Sequence, residues 1–448
     1  MTYLFLIFIF SFTSGAVTEE EVAKSVLDNF SLIEEAELKF MAQEGEIEAS
    51  KGAFDHKLSF KTRNRIEDKY ENKYFETLLE RQTPFGGLGL VAGHRQGRGN
   101  FPYYDGKLAT SGAGEIFAGL TLPVLRNFQT DEFRTNLSNS ELQKEISKVE
   151  LELKQNIYIH KALSLYYKWL LANKKLEIRE SILKIALERQ AMLEKKFKAG
   201  DVEKLKLVDN ERSIEKRKDE LLKAQIEWLD IKTQLEIYYR NSNGEPHSLV
   251  KNTLPQDVPK EIFETSAGLE ELPQIKIINR EIKIFENNRN LFKQSRLPGL
   301  QLEVLGAREL SANDPYDPEA LQVGLKFDFP LENRKAEGKT VSAEYKYLAL
   351  KKKRDYLLLK LKQQFDYSLT AQRNGLLRWK TTSNEFQKTT DLSNAERKRW
   401  TQGASDLYIV NLREQDTADA DIKRWNIWYD YHQSILDTKL FSGKIRPD

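Results

Sequence analysis

The chain has 448 residues, and its 70 basic and 68 acidic side chains nearly cancel, leaving a formal net charge of +2. That balance removes the electrostatic reason to expect a nucleic-acid partner. The absence of cysteine excludes disulfides, zinc–thiolate sites, cysteine nucleophiles and a lipid anchor on an N-terminal cysteine. Charged residues make up 31% of the chain, which favours long solvated helices over one thick globular core.

The N-terminus carries the only strongly apolar run, residues 4–12. It is too short to cross a bilayer as a helix, which takes about 20 residues. Ser14, Gly15 and Ala16 follow it, so we predict a signal peptide over residues 1–16 that is cleaved after Ala16. No Lys or Arg precedes the apolar run, which argues against cleavage and leaves a buried N-terminal strand as the alternative.

The next segments alternate between helical and strand periods. Residues 19–50 predict a first helix, with acidic residues in its first turn and Gly52 after its end. Over residues 54–125 the apolar period changes to two, which predicts strands, with further alternating stretches around 58–63 and 86–94. A turn-rich loop carries Phe101, Tyr103 and Tyr104, which suit either a membrane interface or an ordinary exposed loop.

Residues 131–199 contain no proline or glycine and repeat apolar residues at helical spacing. A helix of that length would extend roughly 100 Å at about 1.5 Å per residue. Gly200 is placed to end it in a left-handed turn, and a return helix is predicted over 203–239. Residues 241–271, which contain Pro246, Pro255 and Pro259, form a linker.

The second half repeats this order. A helix is predicted over 272–295, strands over 300–309 and 321–329, and a long helix over 335–402. Gly403 marks the next turn, and a final helix runs to about residue 441. Each strand is about as long as a tilted strand that crosses a membrane, which takes 9–11 residues.

The two halves share a duplicated turn at a constant offset, since 403 − 200 = 203. A duplication over half the chain predicts two similar modules, residues 17–240 and 272–448. The matching residues are Lys195, Phe197, Gly200, Leu205, Leu207 and Glu211 in the first half, and Lys398, Trp400, Gly403, Tyr408, Val410 and Glu414 in the second.

Helix and strand lengths together predict a self-associating tube. In each half the long helix has about the combined length of the two shorter ones, so two short helices stacked end to end would match it. A sheet in lipid must close on itself, and single-chain barrels have at least about 8 strands. This chain offers four to six, so closure must be shared between several copies.

These features together resemble the outer membrane efflux proteins of the TolC type, over nearly the whole chain. The resemblance depends on the order of short motifs and on the internal duplication, since each motif alone is common. The motifs are Gly52-Ala53-Phe54-Asp55, Pro123-Val124-Leu125-Arg126, Leu297-Pro298, Phe329-Pro330-Leu331, and the turns from Phe197 to Gly200 and from Trp400 to Gly403.

The resemblance implies a mainly α fold with a β-barrel part. Long antiparallel helical hairpins would form a trimeric α-barrel, and each subunit would give four strands to a shared, twelve-stranded transmembrane β-barrel. It further implies a homotrimer in the outer membrane of a Gram-negative bacterium, with a large periplasmic part. Such a protein is the passive exit duct of a tripartite efflux or type I secretion system. No constellation of residues supports catalysis, so we predict a protein that is not an enzyme and has no cofactor or metal. Its partners are outer membrane lipid, a periplasmic adaptor (membrane fusion protein) and an inner-membrane transporter.

The resemblance also assigns roles to individual residues. The helix turns would contact the adaptor, although their glycines are equally suited to a purely structural turn. Ile409 and Leu412 stand where the best-known member has the aspartates of its periplasmic aperture, so an apolar constriction is expected; Ser405 replaces an arginine of a charged latch. The turn residues are Phe197, Gly200, Asp201, Val202, Trp400, Gly403, Ala404 and Ser405.

Two other readings stay open. A soluble periplasmic coiled-coil adaptor or structural protein also contains helical hairpins, and a cytoplasmic coiled coil would use residues 4–12 as a strand.

The five scattered histidines lack metal-ligand spacing, and the glycines at 86, 87 and 89 lack the helix and acidic partner of a dinucleotide loop.

N-terminal sequencing distinguishes the exported protein from the cytoplasmic coiled coil. We expect the mature chain to begin at Val17, because cleavage after Ala16 removes the apolar segment. A mature chain that retains Met1 would contradict the signal peptide.

Overall fold

A computed structural model describes residues 17–65, 71–99, 110, 112–249, 268–310 and 320–446. The predicted signal peptide with Ala16, the aromatic loop residues 101–104 and the linker prolines at 255 and 259 lie outside these residues. The chain divides into two compact units. We call them the sheet unit, Glu37–Glu150 with Gln274–Leu357, and the hairpin unit, which combines Met1–Ala36, Leu151–Pro273 and Leu358–Asp448.

The helices confirm the predicted order of elements. The two longest contain 67 and 68 residues and end within two residues of the predicted bounds. Each is followed by a shorter return helix after a turn of a few residues. The helices are α1 Glu19–Asn29, α2 Ser31–Lys51, α3 Glu132–Lys198, α4 Lys204–Glu236, α5 Pro273–Gln294, α6 Arg334–Thr401 and α7 Leu407–Ser442.

The prediction of one continuous helix over residues 19–50 is wrong, because the helix is interrupted at Phe30. Phe30 has extended backbone angles, φ −91° and ψ 114°, and separates α1 from α2. Its buried ring packs 4.8 Å from Tyr158 and 5.0 Å from Tyr238, measured between ring centroids. The aromatic packing of the hairpin unit therefore overrides a helical pattern that continues on both sides.

Within the described residues the strands form one antiparallel sheet of six in sequence order. The extra alternating stretches are strands β1 and β3, and β2 between them was not predicted from the sequence. The sheet therefore exceeds the four strands per subunit that the family resemblance implies. The strands are β1 Lys57–Arg65, β2 Asn72–Gln82, β3 Gly89–Gly99, β4 Glu115–Pro123, β5 Gly299–Glu309 and β6 Ala320–Asp328.

Register separates the sheet into two chemically distinct faces, since paired residues point the same way. The apolar face carries the large exposed hydrophobic side chains of the strands, and their exposed fraction reaches 73% at Leu321. This face is made of Leu58, Phe60, Phe75, Leu79, Leu90, Ala92, Ile116, Ala118, Leu120, Leu300, Leu302, Val304, Leu321, Val323, Leu325 and Phe327, with polar residues toward the strand ends.

The opposite face, which we call the polar face, carries charges and glycines. Its only large ring in β4, Phe117, is buried over Gly93, and the Arg95 guanidinium lies 5.0 Å from the centroid of that ring. Arg95 also forms a buried ion pair with Glu115, with 3.2 Å between Nη2 and Oε1. Small residues in β3 thus make room for larger side chains of the next strand.

The core of the hairpin unit is aromatic. Trp169 of α3 and Trp428 of α7 are fully buried, and aliphatic residues of α1 such as Val22 and Val26 pack in the same cluster. The Tyr167 hydroxyl donates to Glu19 Oε2 at 2.6 Å. Burial, followed by the charges of Glu19 and Glu21, raises the pKa of Tyr166 to about 12. Among the described helices, none is both long enough and apolar enough to cross a bilayer.

The glycines of β3 allow a matched test of the polar face. A Cβ at Gly93 would lie 2.5 Å from the backbone oxygen of Thr77 and 2.5 Å from Phe117 Cζ, whereas a Cβ at Gly97 would meet nothing within 4 Å. We expect Gly93→Ala to lower the free energy of unfolding by about 1–3 kcal/mol through overpacking. Gly97→Ala is the control and should change it by under about 1 kcal/mol. Thermal unfolding in detergent, followed by circular dichroism, measures both; equal midpoints would contradict the close packing.

Candidate functional site: the helix turns and the Glu414 cluster

The first helix turn is built by a left-handed glycine. Gly200 has φ +82°, and its N–H donates to the Phe197 carbonyl at 3.0 Å. The Asp201 N–H donates to the Lys196 carbonyl at 2.9 Å. These two bonds form a Schellman motif, which satisfies carbonyls that the end of α3 would otherwise leave without partners.

The second turn repeats this geometry at the predicted offset. Gly403 has φ +77°, its N–H donates to Trp400 at 3.0 Å, and the Ala404 N–H donates to Arg399 at 2.8 Å. The two duplicated sequence motifs therefore also share one backbone conformation. The two turns differ at the next helix start: Asp406 caps α7 by accepting from the Tyr408 N–H at 2.8 Å, whereas the matching Glu203 makes no side-chain cap of α4.

The two turns lie side by side. Lys196 Nζ of the first lies 5.7 Å from the Trp400 ring centroid of the second, a cation–π distance. Most of the predicted contact residues are exposed, and Val202, Trp400 and Ser405 are half-buried. The site is therefore one composite surface made by both halves of the chain, and its contact with an adaptor stays a prediction.

The predicted aperture residues Ile409 and Leu412 follow on α7. Both are exposed, with 38% and 45% of their surface accessible. Leu412 borders a cavity of about 230 Å³ together with Tyr408 and Arg217. Exposure of two apolar side chains suits a constriction shared with other subunits, and their role there stays a prediction.

Ser405 does not leave its position uncharged. Its hydroxyl donates to the carboxylate of Glu396. Glu396 also pairs with Arg399 at 3.3 Å, and Arg399 donates to the Ala404 carbonyl at 3.3 Å. The turn thus has its own charged network, within one hairpin.

A buried ionic cluster, which we call the Glu414 cluster, lies next to the turns. Glu414 Oε2 accepts from Arg217 at 3.0 Å, and Oε1 accepts from Arg397 at 2.9 Å and also from Arg189. The Glu414 side chain is 2% exposed. Because these arginines belong to α3, α4 and α6, one carboxylate of α7 ties four helices from both repeats together.

The duplicated sequence pattern identifies Glu414 only as the counterpart of Glu211 and does not predict this cluster. A usable signal was present, however. Leu407, Val410 and Glu414 recur at helical spacing, and all three are buried. A carboxylate in an apolar stripe needs buried counter-charges, since Glu is almost never fully buried unless paired. The partners themselves lie 17 to 225 residues away and could not be named.

The arginines determine the charge state of the cluster. Burial on its own raises the pKa of the Glu414 carboxyl, but Arg189, Arg397 and Arg217 outweigh it and bring this pKa below the ordinary value of 4.5. Burial also lowers the pKa of Arg217, against the opposing effect of Glu414. The carboxylate is therefore ionised throughout the neutral range.

A cavity of about 260 Å³ adjoins the cluster. Its lining mixes both signs of charge with apolar side chains, including Lys174, Glu177, Phe386 and Asp421. No group of three or more His, Cys, Asp or Glu suited to a metal ion occurs in the described part of the chain.

Comparisons with known proteins give structural relatives only, since no family model and no curated sequence matches. A crystal structure of CusC, in work on transmembrane channel formation, matches with TM-score 0.72 and 12% identity over 95% of this chain and 92% of that chain. The CmeC outer membrane channel of Campylobacter jejuni matches with TM-score 0.68 and 15% identity, over 96% and 89%. The outer membrane protein VceC of Vibrio cholerae gives 0.70 and 13%, over 95% and 96%.

The chain has the fold of the TolC-like outer membrane channels. The predicted mainly helical fold with a β part is thereby confirmed. Because the TolC-like fold is shared at such low identity, the comparison carries the architecture and not the roles of single residues.

Glu414→Gln tests whether the cluster holds the hairpins together. We expect a loss of about 3–5 kcal/mol in the free energy of unfolding, because the buried guanidiniums lose their counter-charge. The control is Glu211→Gln at the matching repeat position, where the exposed carboxylate accepts from Gln190 at 3.2 Å and, within the described part of the chain, from no other side chain. Urea unfolding followed by circular dichroism measures both variants. A loss of unfolding free energy no larger than that of the control would contradict this role of Glu414.

The sign of the pH dependence follows from the lowered pKa. The stabilisation by Glu414 is present above the unfolded-state pKa near 4.5 and is lost as the pH falls through the lower folded-state value. Wild type should therefore keep this contribution from pH 5 to 8, and the difference between wild type and Glu414→Gln should shrink only below about pH 4.5.

Proposed function

We propose that this chain is the subunit of a homotrimeric channel-tunnel in the outer membrane of a Gram-negative bacterium. It would act as the passive exit duct of a tripartite efflux or type I secretion system. The observation that carries the proposal is the six-stranded sheet, whose apolar side chains are exposed along one face while charges and glycines occupy the other.

The height of the apolar face suits a bilayer. On β2 this face is bounded by Lys73 and Arg81, with Phe75, Thr77 and Leu79 between them. The distance along the strand is about 27 Å at about 3.4 Å per residue, or roughly 21 Å for a strand tilted by about 40°. Lipid-facing bands of membrane barrels are about 25 Å tall, so the opposite, polar face would line the lumen.

Exposed apolar stripes on the helices support association of several copies. In α4, Leu222, Ile226 and Leu229 recur at helical spacing and are exposed. In α6 the exposed side chains Tyr345, Tyr356 and Tyr367 recur every eleven residues, and Leu348 and Leu359 do the same. A helix buries such a stripe only against a neighbour, and the family resemblance supplies threefold symmetry.

The adaptor would bind at the helix turns. The composite surface formed by Lys196, Phe197 and Trp400 offers an apolar and cationic patch that both repeats share. Energy would come from the inner-membrane transporter, and solutes would diffuse through the duct. Ile409 and Leu412 would narrow its periplasmic end, so that adaptor binding opens it by moving the hairpins.

The rival function is a soluble periplasmic adaptor or structural protein. An exposed apolar sheet face of this size is an aggregation hazard in water, whereas in lipid it is required. The likeness to solved outer membrane channels over 95% or more of this chain also favours the channel.

Fractionation of a Gram-negative host that expresses the full chain tests this function. We expect the protein in outer membranes after a high-salt wash, and a detergent-extracted protein trimer slightly below 156 kDa, since 3 × 52.1 kDa is about 156 kDa before the signal peptides are removed. A salt-extractable or monomeric protein would contradict the channel.

A matched pair of arginines then tests which face meets lipid. Leu325→Arg, on the apolar face, should reduce the amount of folded trimer, because a mid-bilayer arginine costs about 2–4 kcal/mol. Gly324→Arg, on the polar face where a Cβ has ordinary room, should leave assembly intact. The reverse order would reject the assignment of the faces.

A further inference from the structure

We propose that β1 of one subunit pairs with β6 of the next, so that three subunits close an eighteen-stranded barrel instead of a twelve-stranded one. This inference rests on the proposed function. We call the contact between β1 of one subunit and β6 of the next the seam. Six strands in each of three subunits give 3 × 6 = 18 strands. Bacterial barrels of 8 to 26 strands are known, always with an even number in a single chain.

β1 and β6 are the two edge strands of the described sheet. Each has nine residues. Because successive strands alternate in direction, β1 and β6 run oppositely, and a β6 edge therefore meets the β1 edge of a neighbour in antiparallel fashion. An open edge cannot remain in lipid, so each edge requires a partner strand.

The β1–β2 hairpin is part of the wall and not a separate appendage. β1 pairs with β2 along its whole length from Lys57 to Arg65, and β2 pairs with β3 from Asn72 to Gln82. A twelve-stranded wall closed through β3 would have to give up the whole β2–β3 ladder. Breaking that many hydrogen bonds in lipid is prohibitive.

The apolar face continues to both edges. Leu58 and Phe60 of β1 are 56% and 67% exposed, and Leu325 and Phe327 of β6 are 71% and 67% exposed. Lipid would cover these side chains in the closed wall. A hairpin that lay outside the membrane would not carry this pattern in phase with the other four strands.

The edges are also complementary in charge and size. The apolar sides of β1 and β6 face the same way only in every second pairing register. A shift by one residue would move every side chain to the opposite face of the sheet. One allowed register pairs Lys57 with Asp328, Leu58 with Phe327 and Lys61 with Gly324. It brings Lys57, which pairs with Glu80 at 3.3 Å within the chain, near Asp328, which pairs with Arg126, and it places the long side chain of Lys61 beside a glycine.

The seam changes the width of the channel. Strands about 4.8 Å apart and tilted by about 40° give a backbone diameter of roughly 36 Å for 18 strands and roughly 24 Å for 12. The cross-section of the outer membrane part would be about twice as large, so this part would pass solutes that a twelve-stranded wall excludes.

Disulfide trapping in the membrane-embedded full chain tests the seam, because the chain has no cysteine of its own. Gly324→Cys is combined in turn with Ser59→Cys, Lys61→Cys or Arg63→Cys, which sample three allowed registers on the polar face. After oxidation we expect at least one pair to give disulfide-linked dimers and trimers, and no larger species, as a ladder of bands on denaturing gels. Control pairs combine Val91→Cys in β3 with Gly324→Cys or Lys326→Cys and should stay monomeric on denaturing gels.

Three results would overturn the eighteen-stranded closure. They are a ladder from the Val91 pairs, a ladder that ends at the dimer, and the absence of intermolecular disulfides from every β1 position in protein that fractionates as an outer membrane trimer. Failure of the proposed function would appear earlier and separately, as loss of membrane retention or of the trimer itself.

Discussion

Backbone hydrogen bonding at the two edges of the sheet is the constraint on which the architecture depends. In the proposed channel the apolar face of the sheet would meet lipid, which cannot satisfy the polar backbone groups at the β1 and β6 edges. Six strands are too few to close alone, so the proposed barrel would need further copies of the sheet unit. The exposed stripes of α4 and α6 favour further copies in the helical part as well, because another subunit could cover their exposed apolar side chains.

The Glu414 cluster solves a different problem, that of holding two hairpins from distant parts of the chain against each other. An apolar core could do the same, and such a core already exists around Trp169 and Trp428. A carboxylate between three guanidiniums also fixes how the helices are placed against each other. All of its hydrogen bonds form only when the three arginines take up one arrangement. It stands beside the exposed turns, where a hairpin that moves would have to keep or break these bonds as a set.

The sequence predicted helices and turns well because both have local signals. A long run without Gly or Pro predicted α3, and apolar residues at helical spacing predicted α6, both to within two residues; Gly200 and Gly403 marked the turns. The break at Phe30 was missed, since tertiary aromatic contacts and not a local breaker cause it. Strand β2 was missed because its polar face carries Tyr74 and Leu78 among charges, which blurs the period of two. The partners of Glu414 were beyond reach, as nothing local links residue 414 to residue 189.

The eleven-residue spacing of Tyr345, Tyr356 and Tyr367 has a consequence for the mechanics of α6. Eleven residues fill three turns at about 3.67 residues per turn, slightly more than the relaxed helix, whereas a heptad stripe requires left-handed winding. A helix with this spacing can stand almost upright beside its neighbour, with at most a slight right-handed lean. The three tyrosines therefore mark a nearly straight line along α6, on which a neighbouring helix could pack without winding around it.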